Sequence, residues 1–124
     1  FADGVFDKSV SVTALEFIAD AGRAVAELFR VTKPGGVVVA ATLNRLSPWA
    51  VRRREDARHD PDSVFNRVIF RSPAELLALA PVPGISRTAV HFAKDDDPAE
   101  LDRIEREGQG SETGAFVAAR WEKG

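Results

Sequence analysis

The stretch Phe29-Arg30-Val31-Thr32-Lys33-Pro34-Gly35-Gly36-Val37-Val38-Val39-Ala40-Ala41 joins a helix end, a tight turn and a buried strand. Val37 to Ala41 is a continuous apolar run rich in β-branched residues and bounded by turn residues, the pattern of a parallel strand covered on both faces. Pro34-Gly35-Gly36 ends the element before it, because neither residue type continues a helix at low cost. Upstream, Ala24, Val25, Leu28 and Phe29 recur at helical spacing behind Asp20, an N-cap by residue type, with Arg30 and Lys33 near the C-terminal carbonyls. Further upstream, Val10 and Val12 alternate with Ser9 and Ser11 in a strand over Phe6 to Val12, behind the Asp3-Gly4 turn. Strand, helix and strand with tight connections make one βαβ unit, right-handed if both strands share a sheet.

Downstream, Asn44 to Arg71 has poor periodicity and high charge density, which predicts a long irregular segment with a helical turn around Trp49 to Arg54. Ser72-Pro73-Ala74-Glu75 combines an N-cap, a first-turn proline and a capping-box glutamate, so a short helix begins there. Ile85 to Ala93 alternates as a strand, Asp97-Pro98-Ala99-Glu100 starts another helix closed by Gly108 and Gly110, and Ala115 to Trp121 forms the last strand.

The 124 residues, 44% of them hydrophobic, suffice for one core and not for two. Seventeen Lys and Arg against 19 Asp and Glu leave a net charge of −2, which supplies no attraction to nucleic acid or an acidic membrane. Without cysteine there is no disulfide framework or thiolate site, as suits a cytoplasmic protein. No apolar run reaches the length of a membrane span, and the N-terminus lacks the regions of a secretory signal. The chain begins Phe1-Ala2-Asp3 and contains no methionine, so a processed product, an excised piece or a partial chain is expected.

Phe6-Asp7, then Ser11-Val12-Thr13-Ala14-Leu15-Glu16-Phe17, then Phe29-Arg30-Val31-Thr32-Lys33-Pro34-Gly35-Gly36 resemble the second half of small-molecule class I S-adenosylmethionine-dependent methyltransferases. This broad group includes the ubiquinone and menaquinone methylases. The resemblance covers Phe1 to Leu43 and implies an α/β fold, the C-terminal half of a Rossmann-like seven-stranded methyltransferase sheet. Strands four to seven would be present, the last antiparallel, in the spatial order fourth, fifth, seventh, sixth. Residues 1–124 would then be a single partial domain lacking the glycine-rich turn that grips the cofactor. Gly35-Gly36 does not replace that turn, since it precedes a strand instead of following one.

The resemblance further implies S-adenosylmethionine as cofactor, bound weakly or not at all by this chain alone, with Val12, Thr13 and Ala14 beside its methionine part. Glu16, Phe17, Asn44 and Trp49 would face a small-molecule acceptor, at the carboxyl ends of the strands where open α/β sheets bind ligands. Each position also has a plainer reading. Thr13 would bond a backbone carbonyl, Glu16 would be an early helix-side acid, and Phe17 would belong to the core. Asn44 is the better acceptor contact, because an amide just past a buried strand has few structural duties. Trp49 with Arg52, Arg53 and Arg54 suggests a lid with an aromatic wall and a grip for an acidic or phosphorylated acceptor. Three consecutive arginines cannot share one helix face, so the plainer reading there is a solvated basic segment.

His59 beside Asp60 and Asp62 lacks the second histidine or cysteine expected of a metal site. His91 reads as a sheet residue. A second functional class is a catalytically inactive truncated fragment acting through self-association, since a fourth strand without its first-strand neighbour exposes an edge that invites a homodimer. A nucleic-acid module built on Arg52 to Arg54 has only that short basic cluster behind it.

Overall fold

Asp20 starts the first helix by accepting a hydrogen bond from the Arg23 amide (3.1 Å) in the computed structural model, which describes residues 1–124. Four strands form one sheet: β1 (Phe6–Val12), β2 (Thr32–Leu43), β3 (Gly84–Ala89) and β4 (Phe116–Glu122). Their order is β1-β2-β4-β3, with β1 and β2 parallel and β4 antiparallel to both neighbours. This is the order that the resemblance implied for strands four, five, seven and six.

Helix α1 (Ala21–Val31) turns Ala21, Val25 and Phe29 toward the sheet, where they share a core with Val38 and Ala40 of β2 and Val117, Ala119 and Trp121 of β4. Leu76 of α3 (Pro73–Leu77) closes the same core. Both helices therefore cover one face. On the other face, Val10 and Val12 stand 60% and 56% exposed, in register with half-buried Val39 and with Ala41.

Several boundaries depart from the sequence reading. Strand β2 begins at Thr32, because the ladder resumes on both sides of the turn: Phe6 pairs with Thr32 and Lys8 with Val37. Pro34-Gly35-Gly36 is thus a bulge inside the strand. Gly35 sits at φ +80°, and a Cβ on Gly36 would stand 2.6 Å from the Asp7 carbonyl oxygen, which explains both glycines. Strand β3 stops at Ala89 instead of Ala93, because Val90 turns to φ +64°. Lys33 and Arg30 pair with Asp7 and with Asp3 and Glu27, while Lys123, from the far end of the chain, donates to the carbonyls of Phe29 in α1 and of Thr32, its C-cap (2.6 and 2.7 Å).

The segment after β2 is more regular than its periodicity predicts. Ser47 caps a three-turn helix, α2 (Pro48–Arg58), by accepting from the Ala50 amide, and a 3-10 turn follows at Val64–Arg67. Helix α3 carries the predicted capping box in full: Ser72 and Glu75 each accept from the other's amide at 3.1 Å. A 3-10 turn at Pro98–Glu100 leads into α4 (Leu101–Gly108). No helix is long and apolar enough to cross a membrane.

Candidate functional site

The carboxyl ends of β1, β2 and β3 lie at one end of the sheet, together with the start of antiparallel β4. A cavity of about 380 Å³ opens there. Leu43 at the end of β2, Phe116 at the start of β4, and Val90 and Phe92 beyond β3 form its base. Trp49 of α2, with Phe65 and Phe70 from the following segment, forms the remaining wall, so the cavity is almost wholly apolar. The Trp49 indole N–H donates to the Phe92 carbonyl (2.7 Å), which fixes the ring against the base.

The consecutive arginines of α2 diverge, as their helical phase requires. Arg52 reaches Asp56 and Asp95 at 4.0 Å. The guanidinium of Arg53 lies 5.1 Å from the centre of the Phe65 ring, while that of Arg54 lies 5.3 Å from that of Phe70 and donates to the Arg45 carbonyl. Both of these guanidiniums lie over aromatic rings, yet Arg53 and Arg54 are exposed, so the solvated-segment reading still describes their charged ends.

Val12, Thr13 and Ala14 are exposed at the end of β1. Thr13 adopts φ +50°, a left-handed conformation unusual for a β-branched residue, while its amide donates to the Ala41 carbonyl (2.9 Å). Its hydroxyl bonds no backbone carbonyl, so the plainer reading of Thr13 is not what the structure contains. Glu16 is fully buried; its Oε2 accepts from the Leu43 amide (3.1 Å), and Oε1 has no partner. Phe17 is half exposed and lies outside the core.

Asn44 is different. Its amide donates to the Glu112 and Gly114 carbonyls (2.7 and 2.8 Å) and its oxygen accepts from the Leu46 amide, all in a fully buried setting. The premise that it has few structural duties is corrected: it ties the end of β2 to the approach to β4. Of the expected site residues, only Trp49 lines the apolar cavity. Val12 to Ala14, Glu16 and Phe17 gather at the neighbouring end of β1.

Sequence reasoning missed Phe65, Phe70, Val90, Phe92 and Phe116, which no short-range spacing connects. It also missed Arg71, a buried residue whose guanidinium holds the Leu15 and Ile18 carbonyls (2.8 and 3.3 Å) and so fixes the turn after β1. His59 pairs with Glu55 at 3.6 Å.

Glu105 of α4 accepts from the Val90 and His91 amides, both at 2.8 Å. The His91 amide bond, helped by that of Val90, holds this carboxyl below the ordinary glutamate range against the opposing effect of desolvation. A larger cavity of about 500 Å³ borders β3 and α4, but its lining is polar, with Arg87, Glu105, Ser111 and Glu112. It offers none of the apolar wall that excludes water from a reacting pair.

The apolar pocket thus stands at the carboxyl ends of the parallel strands, where open α/β sheets place their ligands. The chain resembles a class I S-adenosylmethionine-dependent methyltransferase, and residues 1–40 match the family described as Methyltransferase domain. Its fold is that of an S-adenosylmethionine-dependent methyltransferase from Thermotoga maritima (24% identity, TM-score 0.78, covering 100% of this chain and 59% of that one). A methyltransferase from Archaeoglobus fulgidus shares it at 13% identity and TM-score 0.61, covering 99% and 62%. An arsenic(III) S-adenosylmethionine methyltransferase from Chlamydomonas reinhardtii shares it at 19% and 0.56, covering 98% and 38%. The chain thus spans less than two thirds of each of these solved proteins. No curated protein matches it.

Proposed function

We propose that this chain is the acceptor-binding part of an S-adenosylmethionine-dependent methyltransferase domain that methylates a small molecule. Its four strands would be strands four to seven of a seven-stranded sheet, in a cytoplasmic enzyme. The observation that carries this reading is the apolar, ring-walled pocket beside the exposed turn at Val12 to Ala14. The Thr13 amide bonds Ala41, two residues before pocket-lining Leu43, so turn and pocket share one end of the sheet.

The residues present fit only one end of the cofactor. Val12 to Ala14 offer an exposed strand end for its methionine part, whereas every glycine turn in the chain lacks the strand-to-helix placement that cradles a nucleotide. When bound, S-adenosylmethionine supplies an electrophilic methyl group, so the acceptor needs little help from a base. The protein's part is to align the acceptor and exclude water, which Trp49, Phe65 and Phe70 do by walling the pocket. Glu16, buried behind the end of β1, does not line the pocket; its Oε2 holds the Leu43 amide and so steadies the strand end from which the pocket is built.

Titration calorimetry with S-adenosylmethionine and S-adenosylhomocysteine tests this, on the chain and on a version extended upstream by a strand, a glycine-rich turn and a helix. Binding by the extended protein with weak or no binding by the chain alone is expected; no heat from either would end the methyltransferase reading. A second reading has the chain acting as an inactive fragment through self-association, and the unpaired edge of β1 favours it.

A further inference from the structure

Arg53 is the one charged residue lining the apolar pocket. Its neighbours are occupied: Arg52 reaches two aspartates, Arg54 a carbonyl, Arg45 pairs with Glu75 and Arg58 with Glu55. Arg53 has no carboxylate within ion-pair distance and donates no hydrogen bond within the chain, and its guanidinium lies over the face of Phe65. A planar fork of donors thus stands free at the mouth of a pocket walled by rings, and no acidic residue lines that pocket to compete for it.

We propose that the pocket takes a flat, apolar, ring-bearing molecule with one carboxylate, the rings against Trp49, Phe65 and Phe70 and the carboxylate on Arg53. The inference rests on the reading of this pocket as the acceptor site and adds the acceptor's chemical class. The rings follow from the aromatic wall, where offset and edge-on packing favours other π-systems. The compact size follows from a volume of about 380 Å³, near the small end of ligand pockets. The single carboxylate follows from charge: one guanidinium neutralises one negative charge and can bind both oxygens. A dianionic phosphate would leave a charge unmatched, and a cation would be repelled.

The test uses 2-naphthoate, 2-naphthamide, 2-naphthylmethylamine and 2-naphthyl phosphate as probes. Each is titrated calorimetrically into the wild-type chain and into Arg53→Gln, with amide NMR shifts of Val90, Phe92 and Phe116 locating the bound ring and verifying the variant's fold. Arg53 is exposed, so naphthoate should bind only about fivefold more tightly than naphthamide in low salt, with the gap shrinking as salt rises. In Arg53→Gln the gap should vanish, with naphthoate losing clearly more affinity than naphthamide.

Equal binding of naphthoate and naphthamide by the wild type would overturn the proposal, as would a preference for the amine. So would equal loss of both probes in Arg53→Gln, or phosphate binding more than about tenfold tighter than carboxylate. Rings bound without regard to charge would sink this inference alone. If no ring shifts the pocket amides, the acceptor-site reading falls with it.

Discussion

Val90 is the residue on which the pocket's shape turns. Its left-handed backbone costs a β-branched residue about 1–2 kcal/mol. Three hydrogen bonds impose it: two amides on Glu105, and the Val90 carbonyl accepting from Ala115 (2.9 Å). The kink turns Val90 and Phe92 into the pocket base and presents the carbonyl that holds Trp49. Because the folded state favours the ionised carboxylate, Glu105 titrates below its unfolded value of about 4.3. Its contribution is therefore complete above that value and is lost as pH falls through the lower folded one. Glu105→Gln, which offers one acceptor where two amides need one each, should cost about 1–2 kcal/mol at pH 7. Thermal melts from pH 7 to pH 3 should show the gap between variant and wild type closing in acid. A gap independent of pH would mean that the carboxylate charge does not hold the kink.

Among the elements, those with local start chemistry were legible and those made by distant packing were not. Asp20 and Ser72 announce α1 and α3 because a cap is a contact within one turn of chain. Ser72→Ala should accordingly lower stability by about 1 kcal/mol in urea melts. Arg45, whose guanidinium meets Glu75 at 2.7 Å, should lose its hold on the start of α3 in Glu75→Ala but not in Ser72→Ala. Helix α2 was read as little more than a turn, although Ser47-Pro48 is equally good start chemistry. Its buried residues are only Ala50 and Ala57, and its other contacts are made by Trp49 and by arginines that point in different directions, so no apolar stripe marks it. The pocket fails to show in the sequence for a related reason: its rings come from four separate segments that only the fold brings together. That Trp49 lines a cavity and that Val12 to Ala14 are exposed fits the rule that such sheets place ligands at their strand ends. The bulge at Pro34 to Gly36 and the end of β3 at Val90 were hidden because both are set by pairing partners, not by the residues themselves.

Across the whole molecule, the order of the sheet was foreseeable from the Phe1 to Leu43 resemblance, whereas the asymmetry of its cover was not. Helices α1 and α3 close one face, and the opposite face carries exposed Val10 and Val12 beside Val39, giving way to Arg120 and Glu122 farther across. A parallel pair normally has both faces buried, and apolar residues in register on an open face amount to an association surface. Such a patch next to an unpaired strand edge should draw copies of this chain together, with Asp7 and Lys8 the charged residues of that strand that oppose it. The sedimentation coefficient should therefore rise with concentration. A Val10→Lys, Val12→Lys double variant should hold it near the monomer value, with little change in melting temperature, because neither side chain belongs to the core. If the wild-type chain instead remains monomeric at every concentration and binds no apolar dye, this face is stable in water as it stands. It would then give no support to a larger sheet, and the strand-four-to-seven assignment would rest on the resemblance and strand order alone.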